Sequence, residues 1–558
     1  MVRRIIGLIN REISGLHEAA YLLAIFAFSS QLLGLVRDRF LAGTFGTSHV
    51  LDVYYASFRI PDLLFVLVSA FVSASVLVPI FSSNISNRET LKKYIDSLLT
   101  IFVAAISVLI ILAIIFTPWL LKFVAPGLVG GESVGDLILF TRILLVSPLL
   151  LGVSQLFGGI VQSYKKFAIY AISPILYNAG IIVGVVLFYP IFGNIGLIFG
   201  VCLGLVLHLI VQLPTIAGQG LIPSINFRPD FALVRNVARL SLPRTIAMTS
   251  SQLTLIVLIG IASTMVSGSI AIFNLSFNLQ SVPMSIIGVS YSLAAFPTLS
   301  RLFSDGNLEK FISHIISSAR HIIFWSLPVM VMFIVLRAQI VRTVLGAGEF
   351  NWSDTRLTAA ALAIFIVSAL AQSLILLFVR GYYSAGQTKK PLYVNIFSAI
   401  FTIAISYWLV DLYNSTPAMR VFFERLLRVD GGFETSILML PLAYTLGMTL
   451  NVILLWISFE KNFRGFSKNL FKPLFQSLAA SLVGGYVAYV MLQVFDDVFN
   501  LNKLHGIFAQ GLLSGVIGLA VIGIILWLIG NQEIREVAKT LHQKIWRSNP
   551  ITTGQEEL

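Results

Sequence analysis

Cysteine is almost absent. Cys202 is the single one in 558 residues, so neither a disulfide framework nor a cysteine-ligated metal centre can form within one chain. Charge is scarce as well: 11% of residues are charged and 57% are hydrophobic, which is not the balance of a soluble domain. The histidines are scattered, and His208 and His314 have no His or Cys partner at ligand spacing. No glycine-rich phosphate loop appears, so the chain does not itself couple to ATP. No catalytic constellation stands out, and the sequence reads as a non-enzyme without metal or cofactor. Long polar stretches are missing too. The longest connections lie near 117–135, 218–236, 337–355 and 411–435, each a loop or a short surface helix.

What fills the chain instead is a series of apolar stretches of about 20 residues, the length that crosses roughly 30 Å of hydrocarbon. About fourteen can be placed, which predicts an all-α polytopic membrane protein. The net charge of +13 would suit nucleic acid, but its distribution points elsewhere. Basic clusters fall at every second connection: Arg3, Arg4 and Arg11; Arg88, Lys92 and Lys93; Lys165 and Lys166; Arg228, Arg235 and Arg239; and so on to Arg535, Lys539, Lys544 and Arg547. This is the positive-inside pattern. It expects both termini in the cytoplasm, an even number of spans and no nucleic-acid partner. The first 18 residues read as a cytoplasmic amphipathic lead-in. The apolar segment after them lacks a convincing cleavage site and reads as a retained span.

Weak internal similarity divides the chain. Segment 2 ends in Val78-Pro79-Ile80-Phe81 and segment 8 in Phe296-Pro297-Thr298-Leu299. Segment 4 exits through Tyr164-Lys165-Lys166 before Pro174 and Asn178; segment 10 exits through Gly386-Gln387-Thr388-Lys389-Lys390 before Pro391 and Asn395. Both pairs are about 220 residues apart. A six-segment unit duplicated into twelve accounts for this, with segments 13 and 14 added outside it. Gly152, Gly158, Gly159, Gly196, Gly200 and Gly204 lie within spans, where small residues let helices approach closely.

The stretch from Ser29 to Phe81 carries Arg37, Asp38, Arg39, Asp52, Arg59 and Asp62 in or beside two spans. A charge near the bilayer centre costs about 2.5–3.5 kcal/mol on insertion scales, so several of them point to a polar transport path. Ser30, Gly34 and Arg37 share a helical face, and so do Asp52, Ala56 and Arg59. If the two faces meet, Arg37, Arg59 and Asp52 form an inward cluster. A guanidinium fork suits phosphate, and the carboxylates would keep the empty site from being an uncompensated positive cavity. The competing reading places Arg37, Asp38 and Arg39 at the membrane interface by snorkelling, and for Arg39 it is the favoured one. Arg244, after Pro243, either projects into the same space or marks a helix end.

Several motifs resemble the MurJ/MviN family of lipid II flippases: Leu33 to Arg39 (LGLVRDR), Phe45-Gly46, Asp52 to Pro61 (DVYYASFRIP), Val78-Pro79-Ile80, Ser163 to Asn178, Gly346 to Phe350 (GAGEF) and Arg380 to Pro391 (RGYYSAGQTKKP) with Asn395. The resemblance covers about residues 20–530. It implies the exporter-superfamily fold of two six-helix lobes around a central cavity, plus two C-terminal helices forming a lipid groove. The corresponding division is lead-in 1–18, N-lobe 19–220, C-lobe 221–460, added helices 461–530 and cytoplasmic tail 531–558. The implied activity moves undecaprenyl-diphosphate-linked peptidoglycan precursor, lipid II, from the inner to the outer leaflet by alternating access. The implied setting is the bacterial cytoplasmic membrane, among membrane lipids and the cell-wall synthesis machinery. Arg37, Asp38 and Asp52 stand where the family has its arginine and two aspartates. Ser30 is followed by Gln31 where members usually have arginine, and Asn278 stands where segment 8 usually has one. A basic residue usual in segment 2 is replaced near Phe65-Val66, and an aspartate of some members' sodium site aligns near Leu258. Arg59 and Arg244 are the candidates to compensate. Two rivals stay open: export of another polyprenyl-linked glycan, and a transport-dead scaffold of envelope assembly. Membrane potential or an ion gradient would supply the energy.

Overall fold

A computed structural model describes residues 16–72, 77–78, 81, 87–226, 228–429 and 433–546. The lead-in before residue 16, Pro79 and Ile80 of segment 2, and the tail beyond residue 546 lie outside the described residues. Among the described residues every regular element is helical.

The first part of the chain folds as α1 (Leu16–Phe45), α2 (His49–Ser57), α3 (Arg59–Val72), α4 (Arg88–Val124), α5 (Val134–Leu144), α6 (Ser147–Ser163), α7 (Phe167–Val183) and α8 (Ile195–Ile210). There follow α9 (Phe231–Ser263), α10 (Ser269–Met284), α11 (Ser290–Ser304), α12 (Leu308–Val335), α13 (Arg337–Leu345), α14 (Trp352–Phe365) and α15 (Val367–Ser384). The last are α16 (Lys389–Ser415), α17 (Pro417–Leu427), α18 (Met439–Asn462), α19 (Lys468–Asp496), α20 (Leu504–Leu528) and α21 (Gln532–Trp546). Twelve helical stretches among the described residues are long and apolar enough to cross a membrane, from Arg88–Val124 to Leu504–Leu528. They coincide with segments 3 to 14 of the sequence reading. Segments 1 and 2 are α1 and the interrupted pair α2–α3, which do not meet those criteria among the described residues. The chain is a multi-pass membrane protein.

Contacts group the chain into two compact units. The first holds α1 to α9, most of α10, α14, α16, α17 and the first half of α18. Here α1 packs along α7, and α9 along α3 and α16. Phe102 of α4 fills the space that Gly152 of α6 leaves open, in a core with Leu98, Phe157 and Ile160. Gly180 and Gly184 face Gly200 and Gly204, so the backbones of segments 5 and 6 touch; that close approach is what small residues permit between membrane helices.

The second unit holds α11, α12, α15, the end of α18 and α19 to α21. Helix α12 packs against α19, which pairs with α20. Phe324, Met332, Ala480, Ala488, Ile522 and Leu526 form the apolar seam. Arg320 of α12 pairs with the buried Glu533 and donates to Gln532 (2.5 Å), tying down α21.

The two look-alike exits share one turn. Helix α6 ends at Tyr164 with Lys165 left-handed (φ 56°), and α15 ends at Ala385 with Gly386 left-handed (φ 69°). That geometry closes helices best with glycine. The second exit has it; the first holds a lysine in its place.

Candidate functional site

The site lies in the first unit, where α1, α7 and α10 line a polar cavity of about 230 Å³. Ser30, Gln31, Gly34, Leu35, Arg37 and Asp38 come from α1, Asn178 from α7, and Asn278 and Ser281 from α10. On α1 the i, i+4, i+7 spacing puts Ser30, Gly34 and Arg37 on one face. The cavity falls short of the roughly 300–1,000 Å³ of sites that enclose whole small molecules. Its size suits a phosphate group.

Each of the three guanidinium nitrogens of Arg37 donates a hydrogen bond. Nε and Nη2 donate to Oδ1 of Asp38 at 2.9 and 2.7 Å, and Nη1 donates to Oδ1 of Asn178 at 3.0 Å. The other carboxylate oxygen of Asp38 accepts from Nδ2 of Asn278 at 3.0 Å. Nδ2 of Asn178 donates back to the Pro174 and Ser30 carbonyls, at 3.2 and 3.3 Å. The chain Asn178–Arg37–Asp38–Asn278 therefore carries no net charge. The Asp38 side chain is 3% exposed and that of Arg37 21%. A buried pair of this kind holds only when further hydrogen bonds satisfy both partners, and the two asparagines supply them. The guanidinium stays at the cavity edge, where an incoming anion could take over donors now held by Asp38.

Asp52 and Arg59 do not join this cluster. Pro61 has no N–H to give the Ser57 carbonyl, and the helix breaks at Phe58 between α2 and α3. Asp52 instead caps α10 from outside: Oδ2 accepts from the Gly268 N–H at 2.6 Å and Oδ1 from the Ala271 N–H at 2.8 Å. A carboxylate there satisfies orphan donors and meets the positive end of the helix dipole. Arg59, also buried, donates to Oδ1 of Asn274, and its Nε has no partner among the described residues. The expected single cluster is thus spread along α10: Asp52 at its start, Arg59 at Asn274, Asp38 at Asn278, and Ser281 in the cavity wall.

Arg39 does not snorkel. Its Nη1 donates to the Thr343 and Val344 carbonyls (2.7 and 3.2 Å) and its Nη2 to the Gly346 carbonyl (3.3 Å). These lie at the C-terminus of α13, the negative end of a helix. The GAGEF stretch is what the end of α1 docks on. The Glu349 N–H donates to the Gly43 carbonyl at 2.9 Å, Thr47 bonds to Asp354, and Gly348 adopts φ 48° against Gly43. Arg342 donates to the Phe350 carbonyl at 2.6 Å and lies 4.9 Å from the Trp352 ring centre. The side chain of Arg244 lies outside the described residues. Leu258 is fully buried.

Asn178, Asn274 and Ser281 were not singled out as site residues from the sequence. The available signal was the polar spacing 274, 278, 281 within a span, one helical face.

Residues 41–509 match the family model for the lipid II flippase MurJ. The chain belongs to the MurJ family. The lipid II flippase MurJ of Burkholderia cenocepacia is 27% identical over 399 residues, 69% of this chain and 77% of that one. The probable lipid II flippase MurJ of Thermotoga maritima is 26% identical over 495 residues, 87% and 97% of the two chains. The MurJ fold is likewise shared with a solved lipid II flippase MurJ in an inward closed conformation. Its TM-score is 0.72 at 20% identity, covering 94% of this chain and 100% of the other. An inward-facing MATE multidrug transporter of the MOP superfamily aligns with a TM-score of 0.63 at 14% identity, over 79% and 96%. The all-α class expected from hydropathy is therefore the MurJ fold, and MurJ proteins are transporters rather than enzymes.

Proposed function

We propose that this MurJ-family chain flips lipid II from the inner to the outer leaflet of the bacterial cytoplasmic membrane by alternating access. The observation that carries the reading is Arg37, held at the edge of a polar cavity in a charge-neutral network with Asp38, Asn178 and Asn278. In this reading the lipid diphosphate takes donors of Arg37 away from Asp38, and Asn278 keeps the released carboxylate hydrogen-bonded. Ser30, Gln31 and Ser281 offer further polar contacts. Arg59 and Arg244 stay candidates for a later stage of the cycle. Both termini face the cytoplasm, and the two-lobe division at residues 220 and 460 is retained as the organisation of the transport cycle. The natural neighbours are membrane lipids and the cell-wall synthesis machinery. Membrane potential is a sufficient drive, at about 2.3 kcal/mol per charge per 100 mV.

A second reading keeps the mechanism and changes the cargo to another polyprenyl-diphosphate glycan. Gln31 and Asn278, standing where arginines are usual in the family, favour it. Native mass spectrometry of the purified protein separates the two, with lipid II, undecaprenyl phosphate and a different polyprenyl-diphosphate glycan as ligands. Selective retention of lipid II, weakened by Arg37→Ala, supports the first reading. Equal retention of both glycolipids supports the second. Retention of neither favours a scaffold role.

A further inference from the structure

Helix α17 joins two membrane-crossing helices, following α16 directly after Ser415 and preceding the turn into α18. Its sequence is PAMRVFFERLL, and none of its residues is buried. The most exposed positions are Pro417, Ala418, Val421, Phe422, Arg425 and Leu426. They form one stripe at i, i+1, i+4, i+5, i+8 and i+9. Phe422 is 59% exposed and Leu426 60%. In water such a stripe is costly, since burying one large apolar side chain is worth about 1.5–3 kcal/mol.

The opposite face is fixed, so the stripe cannot roll inward. Oγ1 of Thr435 donates to Oε1 of Glu424 at 3.0 Å and accepts from the hydroxyl of buried Tyr413 at 2.8 Å. Tyr413 belongs to the end of α16, and Thr435 to the turn that leads into α18. The helix is thereby tied to both spans it connects.

What covers the stripe follows from its neighbours. Helix α16 exposes Tyr393, Phe397, Ile400, Tyr407 and Trp408, the outer surface of a membrane-crossing helix. Tyr407 and Trp408 lie about 10–12 Å from the end of α16, at 1.5 Å per residue, and exposed aromatic rings of this kind mark the membrane–water boundary. Helix α17 begins a little over two turns beyond those rings. Together with its closing residue Arg428, it carries Arg420, Arg425 and Arg428 against Glu424 alone, a balance suited to lipid phosphates.

We propose that α17 is an interfacial helix that binds the phospholipid surface of the leaflet into which it opens. Val421, Phe422 and Leu426 seat in the boundary between headgroups and acyl chains, and Arg425 lies at the level of the phosphates. This stands independently of the transported substrate.

The test uses the full chain with Cys202→Ser and Phe422→Cys, labelled with an environment-sensitive NBD probe in nanodiscs of phosphatidylethanolamine and phosphatidylglycerol. Leu426→Cys serves as a second labelled position in case the first variant misfolds. For a stripe about 5–10 Å deep, lipids spin-labelled at the top of the acyl chain should quench the emission most strongly. Lipids labelled at the chain end should quench less, and aqueous iodide little. Iodide quenching without lipid quenching would place the helix in water and overturn the proposal. Protection from both quenchers would mean that protein covers the stripe, which overturns it equally.

Discussion

Asn278 holds the carboxylate that neutralises Arg37: its Nδ2 donates to Oδ2 of Asp38 at 3.0 Å, across 240 positions of sequence. Segment 8 thereby reaches the charged end of segment 1 without bringing a charge of its own. An arginine at position 278 would compete with Arg37 for the same carboxylate.

Substituting Arg37 should act on transport and on stability. Arg37→Ala removes the guanidinium at the cavity edge and should abolish lipid II flipping in proteoliposomes; it also leaves the buried Asp38 without its counter-ion, so it should lower the unfolding temperature more than Asn278→Ala does. Arg37→Lys keeps the charge but loses the planar fork. Losing one net charge-assisted bond of about 1.5 kcal/mol should weaken lipid II binding roughly tenfold. Unchanged flipping by Arg37→Ala would refute the assignment.

Asn278 gives a test in both directions. Asn278→Ala leaves one oxygen of a buried carboxylate unpaired, at a cost of about 1–3 kcal/mol, visible as a lower unfolding temperature in detergent. Asn278→Arg adds a second guanidinium beside the cavity and should tighten binding of a diphosphate lipid, with steeper salt dependence. If native mass spectrometry shows the same retention for Asn278→Arg and the parent chain, the cavity does not contact the diphosphate.

Asp52 should behave as a helix cap made across the fold. Asp52→Ala strands the Gly268 and Ala271 N–H groups and should cost about 0.5–2 kcal/mol. Asp52→Asn keeps an acceptor and forfeits mainly the charge–dipole part, about 0.3–1 kcal/mol. Thermal unfolding should therefore rank the parent first, then Asn, then Ala. An Asn variant as damaged as Ala would mean that Asp52 acts through its charge on something other than α10.

Lys165 occupies a turn that the matching exit gives to Gly386. Lys165→Gly removes the left-handed penalty, roughly 1 kcal/mol, and should raise the unfolding temperature slightly. A drop would show that the lysine side chain contributes more than its backbone costs.

The polar side chains within segments 1 and 2 were legible as important because an apolar environment makes each of them costly. Their partners were not legible. Helical spacing joined Asp52 to Arg59, but Pro61 breaks the hydrogen-bond ladder at Phe58, and each residue finds a different site on α10. Arg39 reads as a snorkelling side chain because nothing local shows that the carbonyls at the C-terminus of α13 await it some 300 positions later. The glycines of segment 6 were easier; their partners Gly180 and Gly184 on segment 5 came only from the structure. A small residue repeated every fourth position means a close helix crossing whichever helix is met.

The sequence alone determined that the chain is helical and multi-pass and roughly where its segments are centred, because hydrocarbon thickness and backbone hydrogen bonding leave few other solutions. It also determined the family, through motifs kept in order. Tertiary structure alone decided which charges share a site. Ion pairing and capping in a low-dielectric core depend on a few ångströms between helices distant in sequence, and no periodicity within one segment encodes that distance.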